Sequence, residues 1–203
     1  MPKVNESYRT ARRSQILQAA IICFSRQGFH RATMQCIVKQ SRLSPGAIYN
    51  YFNSKEQIIE AIASERHARE HQLLTEARKA PNLASAVKQI REAFFGQLRN
   101  PKERLRRRVS MQLWTEAQRN PKILKIVRRG FNGPRKLLSA IISDAQRRGD
   151  FSRHADPEAT ARFLIALFHG FVLQAEWDPH VKQVPYLQLL DNFIKSLSPP
   201  PIS

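Results

Sequence analysis

Residues 41–56 read SRLSPGAIYNYFNSKE, and within them two helix-start signals stand ten residues apart. Ser44 carries the side-chain oxygen that caps free backbone N–H groups. Pro45 supplies the preset φ of a first helical position, and Leu43 and Ile48 occupy the flanking positions of a hydrophobic staple. The second signal is Ser54 followed three residues later by Gln57, a capping box ahead of the apolar Ile58, Ile59 and Ile62. The helix between them has room for only about two turns, too short to be stable alone. Its inner face must be held by neighbours, which leaves its outer face free for another use.

The pattern around this stretch is helical throughout. Leu17, Ala20, Ile21 and Phe24 recur at helical spacing and predict a first helix over about 8–27, with Gly28 as its stop. Thr33 caps a second helix with Met34, Ile37 and Val38 inward, and Ser41-Arg42-Leu43 is a tight turn into the short third helix. A long charged helix follows from Ser54 to about Ala80, where Pro81 reads as a domain hinge. Further helices are predicted over about 83–99, 103–118, 121–148, 157–177 and 184–197, with a kink or break expected at Gly133-Pro134. The fold class is therefore all-α. The expected division is a three-helix helix-turn-helix domain over 1–53, a helical domain over 54–197 and a disordered tail over 198–203.

Charge narrows the partners. The 203 residues hold 34 Lys and Arg against 16 Asp and Glu, a formal net charge of +18, and such a surface attracts polyanions. The bias is steepest in residues 1–51, where eight basic residues face the single acid Glu6. Two cysteines and no apolar secretory leader make the cytoplasm the expected compartment. The most apolar run, Phe163 to Val172, falls short of the roughly 20 residues of a membrane span.

Residues 13–56 resemble the TetR family of bacterial transcriptional regulators. The resemblance rests on Ile16-Leu17, Ala19-Ala20, Phe24, Gly28-Phe29, Thr33-Met34, Ile37, Ser44-Pro45-Gly46, Ile48-Tyr49, Tyr51-Phe52 and Ser54-Lys55-Glu56. It implies that Thr33, Tyr49 and Lys55 contact DNA phosphates and that the exposed face of Ser44, Pro45, Gly46, Ala47, Tyr49, Asn50 and Tyr51 enters the major groove. The residues themselves agree. Helix N-termini at Thr33 and Lys55 favour anionic oxygens, Ala47 suits a thymine methyl, and Asn50 suits bidentate contact with adenine. Two positions depart from the family pattern. Arg42 replaces a turn glycine at a place that calls for positive φ, which costs about 1 kcal/mol and is offset by a phosphate contact. Cys36 replaces an acid, so Thr33 loses its reciprocal capping partner.

For the C-terminal domain the resemblance implies effector binding and dimerisation. Phe94, Phe95, Leu98, Met111, Trp114, Phe131 and Phe168 read either as core or as walls of an effector cavity whose polar groups are Gln112, Glu116 and His169. In the segment 161–175 apolar residues run almost all round the helix. Leu164, Leu167, Gly170 and Phe171, with Tyr186, Leu190 and Phe193 of the last helix, are expected to form a four-helix bundle across a twofold axis. The expected protein is a homodimeric repressor on a palindromic double-stranded DNA operator, released by a small molecule, with no cofactor, metal, membrane contact or enzymatic activity. Two other readings stand beside it. One is an architectural DNA-binding protein without an effector. The other is a zinc hydrolase built on His67, Glu70 and His71, which match an H-x-x-E-H order but have no third ligand. The Arg104–Arg108 run reads as a solvated face or a nucleic-acid patch, and Cys23 and Cys36 as half-buried packing or a redox switch.

Overall fold

The computed structural model describes residues 6–98, 100–178 and 180–197, which form helices and no strands. In order they are α1 (Glu6–Arg31), α2 (Met34–Ser41), α3 (Pro45–Tyr49), α4 (Lys55–Arg78), α5 (Leu83–Phe95), α6 (Pro101–Glu116), α7 (Pro121–Arg148), α8 (Pro157–Trp177) and α9 (Gln183–Ser196). The expected tail over 198–203 lies outside the described residues.

Local chemistry accounts for the boundaries. Gly28 interrupts α1 with φ 79° and ψ 160°, a backbone conformation glycine adopts without a Cβ penalty. Phe29 can then turn back to meet the Phe24 ring at 5.6 Å. The Cys36, Ala47, Ser85 and Ala159 N–H groups donate to the side chains of Thr33, Ser44, Asn82 and Asp156, and each cap fixes a helix start.

Of the kink or break expected at Gly133-Pro134, the break does not occur: α7 runs continuously from Pro121 to Arg148. Its apolar side chains are buried on both sides of the proline, Ile123 and Ile126 in one core and Ile141, Ile142 and Ala145 in another. That burial outweighs the roughly 3 kcal/mol an interior proline costs.

The chain divides into two compact units, residues 1–68 with 99–130 and residues 69–98 with 131–203. The helix-turn-helix segment is thus part of a larger unit, whose core joins Leu17, Phe24, Ile37, Ile48, Ile58 and Ile59 to Val109 and Leu113 of α6 and Ile123 of α7. Pro81, expected as a hinge, lies inside the second unit, between the buried Ala80 and Leu83. Composition marks the helix break there, and packing on both sides removes the hinge.

Candidate DNA interface and effector region

The turn between α2 and α3 is built from both sides. Arg42 has φ 58° and ψ 28°, the left-handed conformation its position called for, and it is the one non-glycine with positive φ among the described residues. Ser41, 4% exposed, donates through Oγ to the Val38 carbonyl and accepts from the Leu43 N–H. Gln15 of α1 donates to the Ser41 carbonyl at 2.8 Å, which ties the turn to the long helix. Beyond the turn Ile48 is 0% exposed and anchors α3, while Ser44, Pro45, Gly46, Tyr49 and Asn50 face solvent together with Arg42. Ala47 and Tyr51 are half-buried. No protein atom lies within 4 Å of where a Cβ would stand on Gly46, so the fold alone does not require glycine there.

The start of α4 is held differently from the expected capping box. Ser54 Oγ accepts from the Gln57 N–H, but Gln57 Oε1 reaches the Asn53 N–H rather than that of Ser54. Lys55 Nζ donates to the Phe29 and His30 carbonyls at 2.8 and 3.1 Å and lies 4.6 Å from the centroid of the Phe29 ring. An ammonium has three N–H donors, so one is left for a phosphate.

The expected effector residues fall into two groups. In the second unit Phe168 meets Phe94 and Phe95 edge-on at 5.3 Å, and the His169 ring lies tilted 5.0 Å from that of Phe131. Phe171 and Tyr186 continue the aromatic cluster from Phe95, and Leu98 belongs to the same unit. Met111, Gln112, Trp114 and Glu116 belong to the first unit. There Glu116, 9% exposed, pairs with His30 Nε2 at 2.8 Å, a contact that links the end of α6 to the end of α1. Gln112 Oε1 is buried without a hydrogen-bond partner.

The expected dimerisation residues also separate. Phe171 is 2% exposed, and Leu164, Leu190 and Phe193 pack on the core of their own unit. The Tyr186 hydroxyl donates to the Leu167 carbonyl at 2.6 Å. On α8 and α9 the large apolar side chains that face outward, among the described residues, are Phe163, Trp177, Val184 and Leu189. No atom lies within 4 Å of a Cβ built on Gly170.

The zinc reading finds no site, since no group of three or more candidate ligands occurs among the described residues. His67 is a packing residue. Its Nε2 would lie 2.5 Å from a Cβ on Gly130, and burial, then the charges of Arg66 and Arg129, lower its pKa from near 6.5 to about 4. No helix is long and apolar enough to cross a membrane among the described residues.

A short third helix with one buried and one polar face, entered from α2 through a tight left-handed turn, is a helix-turn-helix arrangement. Comparison with known proteins gives the family. The family described as "Bacterial regulatory proteins, tetR family" matches residues 16–62, and "BetI-type transcriptional repressor, C-terminal" matches residues 86–199. The chain belongs to the TetR family of bacterial transcriptional regulators. It is 26% identical over 186 residues to the HTH-type transcriptional regulator UidR of Escherichia coli (strain K12), covering 90% of both chains. It is 25% identical over 191 residues to the HTH-type nicotine-responsive transcriptional repressor HdnoR of Paenarthrobacter nicotinovorans, covering 90% of this chain and 92% of that one. Among solved structures it is similar to Salmonella enterica GusR, with a TM-score of 0.80, 29% identity, and 96% of this chain and 98% of that chain covered.

Proposed function

We propose that the protein is a cytoplasmic, homodimeric repressor that binds a palindromic operator and is released when a small molecule enters its second unit. The observation that carries the DNA reading is α3: Ile48 is fully buried, so the polar face from Arg42 to Asn50 is fixed outward by the core itself. Asn50 reads an adenine edge, Ala47 meets a thymine methyl, and Gly46 lets the backbone come close. Ser44, Pro45 and Tyr51 set the helix and its flank, and Thr33, Arg42, Tyr49 and Lys55 position the duplex through phosphates. Functionally, residues 1–53 are the DNA-binding part and 54–197 the effector and dimerisation part.

The second unit's aromatic cluster, Phe94, Phe95, Phe131, Phe168 and His169, supports an apolar or aromatic effector held by few polar groups. HdnoR, similar over nine-tenths of the chain, is described as a nicotine-responsive repressor. Leu98 belongs to the same unit as these rings, whereas Met111, Gln112, Trp114 and Glu116, also expected as effector contacts, belong to the first unit. The outward Phe163, Trp177, Val184 and Leu189 support a twofold interface on α8 and α9, with Gly170 allowing close approach. The ligand acts by its differential affinity for two dimer states that space the recognition helices differently.

The test is binding to DNA flanking the protein's own gene. Protection of two half-sites about 34 Å apart, lost when a screened ligand raises thermal stability, supports the reading. Binding to all duplexes alike, with no ligand that stabilises the protein, favours an architectural DNA-binding protein instead.

A further inference from the structure

We infer that Cys23 and Cys36 form a dithiol pair that a hydroperoxide oxidises to a disulfide, coupling oxidant to the DNA-facing surface. Both cysteines are free. Cys23, on α1, is 2% exposed, and Cys36, on α2, is half-buried. Cys23 belongs to the core of the first unit, and Cys36 packs against that core from the neighbouring helix. Both open onto one cleft of about 600 Å³, which Arg26, Lys39 and Arg42 also line and no carboxylate does.

The two thiols have different environments and so different roles. Burial first, then the neighbouring Cys36 thiol, push Cys23 up to about 12, with Arg26 opposing them. Cys23 is held protonated away from solvent, whereas Cys36 stands on the cleft wall where a reagent arrives. In the first step Cys36 Sγ attacks the terminal peroxide oxygen, the S–O bond forms and the O–O bond breaks. The leaving alkoxide takes up the thiol proton and departs as alcohol, with the cleft's cations stabilising the charge that develops on it. In the second step Cys23 Sγ attacks the Cys36 sulfur, and the S–O bond breaks. Hydroxide leaves with the Cys23 proton as water. The two thiols lose two electrons, and the hydroperoxide gains them.

A disulfide holds its sulfurs about 2.05 Å apart, closer than two unbonded thiols can approach. Closing it draws α2 toward α1. Thr33 caps one end of α2 and Arg42 the other, so the movement reaches both proposed phosphate contacts. This last link rests on the DNA reading above, while formation of the bond does not.

The experiment treats the full-length protein with tert-butyl hydroperoxide and follows free thiols, intact mass and affinity for a duplex from the DNA flanking its own gene. The expected result is joint loss of both thiols, a mass loss of about 2 Da reversed by dithiothreitol, and affinity reduced about tenfold. Cys36→Ser should show no crosslink and no response of affinity to peroxide. Persistence of both thiols overturns the inference, as does oxygen addition at Cys36 that leaves the Cys23 thiol free. A crosslink with unchanged affinity overturns the coupling. A crosslink in a protein whose reduced form binds no DNA overturns the DNA reading, and the coupling with it, but not the disulfide.

Discussion

The two units are held together by different kinds of information. In the first, side-chain caps, a staple and a strained turn specify α2, α3 and the start of α4 within some 25 residues of sequence. In the second, Phe94, Phe95, Phe131, Phe168, His169, Phe171 and Tyr186 come together from four helices, and only tertiary packing decides which neighbour each ring meets. A surface that must match a fixed duplex is set by short-range geometry. The region proposed to accommodate a small molecule is set by long-range contacts among interchangeable apolar groups, which tolerate change.

That contrast can be broken most sharply at the cores. Phe171→Glu places a carboxylate where a 2% exposed ring packs on Phe95 and Tyr186. We expect loss of the second unit's cooperative unfolding in calorimetry, a destabilisation of several kcal/mol. Ile48→Ala should cost about 2–5 kcal/mol and, because Ile48 alone pins α3, should abolish DNA binding before the protein unfolds. Trp177→Glu combined with Leu189→Glu changes outward side chains, so light scattering should report folded monomers with weak operator affinity. A folded dimer in that variant would place the interface elsewhere.

The first unit was legible from sequence in proportion to how local its contacts are. Thr33, Ser44 and Arg42 stand as their spacing predicts, because a cap or a left-handed residue is decided by three or four neighbours. Gln15 holding the Ser41 carbonyl, Lys55 holding the Phe29 and His30 carbonyls, and Glu116 pairing with His30 join residues 25 or more apart, and no local signal marks them. In the second unit the apolar length of α8 was plain, but an almost wholly apolar helix does not reveal its inward face. Phe171 consequently turned inward while Phe163 and Trp177 point outward.

Smaller effects sharpen the comparison. Arg42→Gly relieves a φ of 58° and should raise stability by about 1 kcal/mol. The same change should weaken DNA binding with a shallower salt dependence, because one phosphate contact is lost. A variant that is more stable and binds as well would leave Arg42 a purely structural residue. His67 gives a pH effect of defined sign. Its folded pKa is depressed from near 6.5 to about 4, so between these values the unfolded chain binds more protons. Stability is therefore fully present above pH 6.5 and declines as pH falls toward 4, and His67→Gln should flatten that part of the melting-temperature profile.

The central claim is that the outward face of α3 reads bases, and Asn50 tests it most directly. Fluorescence anisotropy of wild type and Asn50→Ala should be compared on the palindrome flanking the protein's own gene and on a scrambled duplex of equal length, at one salt concentration. The account predicts a loss of about 1–3 kcal/mol on the palindrome and almost none on the scrambled duplex. Equal loss on both would show that Asn50 touches only the backbone and would contradict base readout by this face.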